Sequence, residues 1–259
     1  MAKVTQITSR RNPLLARLRR LVEDGTSYRR LGVVLLEGEH LCAAWLAQPS
    51  APVLHAVVST AAWEKPHLRR LAEAAAEVAL VDADVMGGLG TLDSPAPIAF
   101  LVQAPERMQV SVGEPTLVLD RLQDPGNVGS ILRSAASFGF TQVVALVGTA
   151  ALWSPKVVRA GMGAHFGLRL VEGADEAALE ALGVPLFGTS PHAAQRVDAF
   201  ALPWPCAWVL GHEGQGIAAG VAGRCQAMLA IPQRGGGESL NVAAAAAVCL
   251  YETARQRGC

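Results

Sequence analysis

Short apolar runs separated by helix-like stretches recur along the whole chain, and this alternation limits its possible folds more than any other feature. Runs at 32–36, 53–59, 78–81 and 97–102 are separated by helical patterning at about 38–47, 66–77 and 82–89. After residues 103–115, which lose the pattern and mix Pro, Glu, Arg and Gly, a second series begins. Its strands are expected near 116–120, 142–147, 166–171, 184–188, 206–211 and 227–231, with helices near 128–138, 155–162, 174–182 and 239–257. Strands that alternate with helices are joined by crossovers rather than hairpins, so the expected fold is α/β with a parallel sheet covered on both faces. The expected division is a small α/β domain over 1–105, a linker over 106–115 and a larger parallel-sheet α/β domain over 116–259.

Half of the 259 residues are hydrophobic (51%) and only 17% are charged, which supports buried cores and excludes a disordered chain. The uncharged run from Ala199 to His212 is broken by Pro203 and Pro205 and is too short to cross a bilayer, so no membrane helix is expected. The first twenty residues lack the apolar core of a secretion signal, and the expected location is the cytoplasm. The five cysteines form no C-x-x-C pair and suggest neither a disulfide framework nor a metal site. Cys42, Cys206, Cys225 and Cys249 read instead as small buried hydrophobes.

The 22 Lys and Arg balance 22 Asp and Glu, but unevenly. Residues 1–30 hold eight basic side chains against Glu23 and Asp24. Much of that charge lies on an amphipathic helix within 9–24, where Leu14, Leu15, Leu18, Leu21 and Val22 recur at helical spacing and Pro13 suits the first turn. Its arginine face suits an anionic partner, nucleic acid above all, although a solvated helix face has the same composition.

Three segments of the second series have compositions that packing alone would not require, and each follows an expected strand, where α/β sheets bind ligands. In the first, Pro125-Gly126 turns the chain, Asn127 is placed to cap a helix, and Gly126, Gly129 and Arg133 share one face. In the second, Leu210-Gly211-His212-Glu213-Gly214, glycines flank a carboxylate; His212 as a general base has no identifiable partner, and Glu213 is the better candidate. In the third, Ile231-Pro232 leads through glycines to Glu238-Ser239-Leu240-Asn241, where Ser239 can cap and leave amides free for a polar ligand. Phosphate-loop, metal-helix and nucleophile-elbow motifs are absent. One loose dinucleotide match, Gly214-Gln215-Gly216-Ile217-Ala218-Ala219, keeps an oxidoreductase as a rival, against which the short following helix and the missing ribose-binding acid both argue.

Taken together, Asp124-Pro-Gly-Asn127-Val-Gly129-Ser-Ile-Leu-Arg133, Leu210-Gly211-His-Glu213-Gly214 and Ile231-Pro232 through Asn241 resemble the three signature motifs of SpoU-type RNA ribose 2′-O-methyltransferases, of the SPOUT class. Ser154-Pro155-Lys156-Val-Val-Arg159-Ala-Gly161-Met-Gly163-Ala164 is similar to another stretch of these enzymes, with Gly161 standing where a serine is common. The resemblance covers nearly all of 116–259. It implies a trefoil-knotted catalytic domain, S-adenosylmethionine as cofactor, and a homodimer through the knot helices. It assigns catalytic positions to Asn127, Arg133, Glu213, Ser239 and Asn241, and cofactor contacts to Thr189, Gly211, Ile231 and Leu240, with Ser239 and Asn241. The first hundred residues more loosely resemble an L30e-like substrate-binding domain, which favours large-subunit ribosomal RNA over tRNA. Arg10, Arg11, Arg17, Arg19 and Arg20 are then the expected RNA contacts. A non-catalytic RNA-binding scaffold and methylation at a base atom stay as alternatives.

Overall fold

The computed structural model describes residues 2–49, 51–87, 89, 90, 95–233 and 240–258, so Ser239, Glu238 and Cys259 lie outside the described residues. The chain forms two compact units, one of residues 1–106 with 153–166, the other of 107–152 with 167–259.

The first unit is built on a five-stranded sheet of β1 (Lys3–Ile7), β2 (Val33–Glu37), β3 (Val53–Ser59), β4 (Glu77–Val81) and β5 (Ile98–Gln103), in the order β1-β4-β3-β5-β2. β1, β4 and β3 run parallel, while β5 is antiparallel to both β3 and β2. The arginine-rich helix spans Pro13–Glu23. Asn12 caps it by accepting from the Leu14 N–H at 2.9 Å, and Leu15, Leu18 and Leu21 form its buried stripe.

The sequence division groups 153–166 with the second unit, whereas in the structure these residues pack with the first. Val157 and Val158 of the helix Pro155–Gly161 are fully buried, this helix packs on β2 and on Pro13–Glu23, and Phe166 meets Trp45 edge to face at 5.2 Å. Apolar burial within the first unit decides the placement, which a strand-and-helix pattern cannot register.

In the second unit seven parallel strands, β6 (Thr116–Asp120), β7 (Gln142–Leu146), β8 (Arg169–Ala174), β9 (Leu186–Thr189), β10 (Gln195–Arg196), β11 (Ala207–Gly211) and β12 (Ala227–Ala230), run in the order β10-β12-β9-β11-β6-β7-β8. β6 and β7 are buried along their whole length, as strands covered on both faces must be. Gln142 ties residues before β6 to this sheet: its Oε1 accepts from the Ser111 N–H at 2.7 Å and its Nε2 donates to the Ser111 carbonyl at 3.1 Å. The expected linker therefore divides after Glu106, and most of it joins the second unit. The strand expected at 166–171 begins only at Arg169, because Ala164–Gly167 makes a 3₁₀ turn, and the helix expected at 174–182 is the 3₁₀ segment Glu176–Leu182.

Cys42, Cys206 and Cys249 are buried and Cys225 is half-buried. Burial pushes the Cys206 and Cys249 thiols up to about 12 and Cys225 up to about 11, so they stay neutral and pack as small hydrophobes.

The last helix, Val242–Gln256, packs against the helix Pro125–Ser137 and against β11. One buried polar chain fixes its register: the Trp208 indole N–H of β11 donates to Thr253 Oγ1 at 2.9 Å, and that hydroxyl donates to the Cys249 carbonyl at 2.8 Å. Thr253→Val keeps the shape but leaves the indole N–H unpaired among apolar neighbours, which costs about 1–3 kcal/mol. The expected outcome is a lower urea midpoint at unchanged slope, measured by Trp fluorescence.

Candidate active site

The parallel sheet delivers three polar loops to its carboxyl edge, and each is shaped by a local constraint. β6 ends at Asp120, and the chain then enters the helix Pro125–Ser137. Asp124 caps this helix, its Oδ1 accepting from the Asn127 N–H at 2.7 Å, with Pro125 at the first turn. Sequence reasoning places Asn127 as the cap; the structure moves that role to Asp124, because Pro125 has no N–H and suits the position directly after the cap. The Asn127 side chain is thereby released from the backbone.

That released amide joins the other two loops. Its Nδ2 donates to Glu213 Oε1 at 3.3 Å, and its Oδ1 accepts from Asn241 Nδ2 at 3.0 Å. Asn241 caps the last helix, accepting at Oδ1 from the Ala243 and Ala244 N–H groups at 2.9 and 3.3 Å, while the expectation for Ser239 lies outside the described residues. Three residues separated by up to 114 positions thus form one chain, Glu213–Asn127–Asn241, in which every amide orientation is set by a neighbour.

Glu213 also accepts from the Gln123 and Asp124 N–H groups, both at 3.4 Å. Burial pushes this carboxyl upward, but hydrogen bonds from its own N–H, from Asn127 and from these two amides outweigh burial and hold it below the usual range. Glu213 is an ionised anchor for the first loop. The neighbouring His212 acts locally, its Nδ1 accepting from the Gly214 and Gln215 N–H groups at 3.0 and 3.3 Å and so closing the turn. Gly211 is required where that turn folds back, since a Cβ there would lie 2.3 Å from the Gly216 carbonyl carbon and the Ile217 nitrogen.

The Arg133 side chain is exposed on the helix Pro125–Ser137 and has no hydrogen-bond or ion-pair partner among the described residues, unlike those of Asn127, Glu213 and Asn241. Gly129 is buried, so the exposed face around Arg133 is formed by Gly126 and Ser130.

Beside this chain opens a pocket of about 610 Å³, within the range of small-molecule sites. Thr189, Gly211, Ile231, Leu240 and Asn241, all expected as cofactor contacts, line it together with Glu213. Ile217 and Met228 complete its apolar wall and escaped the sequence reading, since each looks like an ordinary core residue. Aliphatic surface for a flat ring, loop backbone for polar groups, and an ionised carboxylate at the wall fit S-adenosylmethionine, which carries a positive centre. Among the described residues no group of three or more His, Cys, Asp or Glu is placed to hold a metal.

In the first unit the five expected RNA contacts divide. Arg10, Arg11 and Arg20 are exposed, whereas Arg17 donates to the Leu31 carbonyl at 2.6 Å and Arg19 to the Arg10 carbonyl, so the last two brace their own unit.

Comparison with known proteins agrees with this geometry. The SpoU rRNA Methylase family model matches residues 114–251. An uncharacterised tRNA/rRNA methyltransferase of Synechocystis is 32% identical over 98% of this chain and 95% of its own length. The 23S rRNA (guanosine(2553)-2′-O)-methyltransferase of Bacillus subtilis is 29% identical over 84% of this chain and 86% of its own. The crystal structure of an AdoMet-bound rRNA methyltransferase from Sinorhizobium meliloti superposes with a TM-score of 0.84 at 25% identity, covering 98% of each chain. The match to the family model spans all three loops of the site and more than half of the sequence, and the chain belongs to the SpoU rRNA methylase family.

Proposed function

We propose that this protein methylates a ribose 2′-hydroxyl of large-subunit ribosomal RNA, with S-adenosylmethionine as methyl donor. The observation that carries the reading is the Glu213–Asn127–Asn241 chain, which locks three loops beside a cofactor-sized pocket, with Arg133 unpaired among the described residues. Thr189, Gly211, Ile231, Leu240 and Asn241 would hold the cofactor, which when bound supplies an activated methyl group.

What the chain itself must provide is positioning, charge stabilisation and removal of one proton. Arg133 cannot act as a base, because a guanidinium keeps its proton far above neutral pH. It is suited to hold the phosphate next to the target ribose and to stabilise negative charge developing on the 2′-oxygen. That phosphate or solvent would take the hydroxyl proton, and the neutral thioether S-adenosylhomocysteine would be the leaving group of the transfer. Asn127 and Asn241 orient the loops and the nucleotide, Ser239 takes part in the same orientation, and Glu213 holds the first loop against the second.

The first unit, read as an L30e-like module, would bind the RNA through Arg10, Arg11 and Arg20. A homodimer would form through the helices Pro125–Ser137 and Val242–Gln256, where Val248 and Tyr251 are exposed, Tyr251 by 54%. A knotted path of the chain is consistent with the position of β11, inserted between β9 and β6. Among the described residues no helix is long and apolar enough to cross a membrane; a ribosomal RNA substrate would put the protein in the cytoplasm.

The direct test is transfer of labelled methyl from S-adenosylmethionine to total RNA of a strain lacking the gene. Label is expected in 23S rRNA at one nucleotide whose 3′ bond resists alkali. Arg133→Ala should lower turnover by about 10³-fold or more, in the range of a lost transition-state donor, with cofactor affinity nearly intact. Asn127→Ala should lower both. Label in tRNA would move the substrate, and label at an alkali-sensitive position would replace ribose by base chemistry.

Charge gives two further expectations. Replacing Arg10, Arg11 and Arg20 by Gln removes up to three phosphate contacts, which should lower the slope of log affinity for RNA against log salt by about 2–3. Glu213 has a depressed folded-state pKa, so its contribution to stability is present above the unfolded carboxyl value and is lost as pH falls through the folded one. Glu213→Gln should therefore be less stable than the parent at pH 7, and the gap between the two melting temperatures should begin to narrow as pH falls below the unperturbed glutamate value, about 4.3, and close only below the depressed folded one.

A further inference from the structure

Arg121, the residue directly after β6, takes a backbone conformation that L side chains rarely adopt, with φ at 58°. The surrounding contacts show what holds it there. Its N–H donates to Thr149 Oγ1 at 3.1 Å, and Thr149 in turn donates to the Leu119 carbonyl at 2.9 Å. The stem of the side chain lies along Gly148, where a Cβ would come within 3.2 Å of Arg121 Cγ.

The guanidinium makes a two-point pair with Asp120, Nε to Oδ1 at 2.8 Å and Nη2 to Oδ2 at 3.2 Å. The Asp120 side chain is only 2% exposed, and its Oδ2 also accepts from the Ala218 N–H at 2.6 Å. The remaining donors of Arg121 reach across the sheet edge: Nη1 to Gln215 Oε1 at 3.0 Å and Nη2 to the Gly216 carbonyl at 3.3 Å. Asp120 and Gly211 are register partners in β6 and β11, so the turn that follows Gly211 starts beside Arg121. Gly211, Gln215, Gly216 and Ile217 all line the pocket, whereas Arg121 and Asp120 do not.

We infer that Arg121 is a positioning residue for the cofactor: its guanidinium ties the turn at Gln215–Gly216 to the buried Asp120 carboxylate and so fixes one wall of the pocket before the cofactor binds. His212 closes this turn internally and Glu213 anchors the side that faces Asn127. Without Arg121, the hydrogen bond between β6 and this side of the turn is that of the Ala218 N–H to Asp120, beside the internal bonds of Gln215 and Gly216 to His212. The left-handed backbone aims the side chain at the neighbouring loop rather than along the exit from β6. The inference rests on the proposed use of the pocket for S-adenosylmethionine.

Three variants separate the guanidinium from the backbone strain. Arg121→Ala removes the clamp and keeps the strained φ, Arg121→Gly removes the clamp and relieves it, and Arg121→Lys keeps a charge that cannot serve both Asp120 and the turn. Calorimetric titration with S-adenosylmethionine and S-adenosylhomocysteine is expected to show affinity about ten-fold weaker for both Ala and Gly, the equivalent of one to two lost hydrogen bonds, with Lys in between. In turnover assays the loss should fall on KM for the cofactor rather than on kcat. Hydrogen exchange of the 213–217 amides in the unliganded protein should quicken in Ala and Gly while exchange in β6 and β7 stays as in the parent. Parent-like affinity in Arg121→Gly, or unchanged exchange at 213–217, would overturn the inference. If the parent protein binds neither ligand, the cofactor reading itself falls and this role falls with it, while the exchange experiment reports separately whether the clamp exists.

Discussion

Seven strands running in one direction release all their chains at one edge, and the whole site depends on that constraint. An antiparallel sheet would alternate its loops between two edges and separate the residues that follow β6, β9, β11 and β12. Here Asp120, Thr189, Gly211 and Ala230 end neighbouring or next-neighbouring strands at the same edge. The segments after them need to reach only a short distance to meet. Burial of β6 and β7 on both faces holds the edge rigid, so loop positions derive from the sheet rather than from the loops themselves.

Within that frame an asparagine is the residue type the centre of the site requires. Position 127 must donate to a carboxylate on one side and accept from an amide on the other. Aspartate could accept from Asn241 but would set a second negative charge against Glu213. Glutamine has the right groups on a stem one carbon longer, which displaces both contacts and adds a rotor to be ordered. The same reasoning explains why Asp124 caps the helix. If Asn127 were bound to backbone N–H groups, its Oδ1 could not take part in the chain that links the three loops.

Most of the second unit's order of elements and the three loops of its candidate site were legible in signals local to a few residues, whereas the two-residue β10 was not. Strand ends followed by Gly, Pro, Asn and Glu marked the three loops, and five expected pocket residues do line one pocket. What escaped depends on partners far away in the chain. β1 was not foreseen, since only Ile7 of its five residues is buried and no apolar pattern marks an exposed edge strand. The packing of Trp153–Phe166 with the first unit is not legible in the sequence, because its apolar helix has the same periodicity whichever surface it covers. Asn127 and Asp124 are both good capping residues, and only Pro125 between them distinguishes the two roles. Arg121 looked like one more charged residue at a strand end, and its φ and its four side-chain contacts become visible only in three dimensions.

The two arginines of this edge illustrate how one side chain type acquires opposite uses. A guanidinium offers five donors in a fixed plane, and what surrounds it decides how many remain for a ligand. Arg121 lies over a buried carboxylate with a carbonyl and an amide oxygen in reach, so its donors are taken up inside the protein and its charge is neutralised at source. Arg133 projects from a helix face of Gly126 and Ser130, neither of which carries a charge, and none of the described residues takes up its donors, as the proposed phosphate contact requires. Exchanging the two environments would be damaging in both directions. A carboxylate beside Arg133 would compete with RNA for the same fork. An Asp120 without its arginine would be a buried charge facing only the Ala218 amide, which raises the cost of keeping it ionised at the root of the pocket wall. Binding of a polyanion and rigidity of a cofactor pocket are therefore set by where the counter-charges are placed, and in this chain Asp120 is taken up by Arg121 and Glu213 by Asn127 and two loop amides.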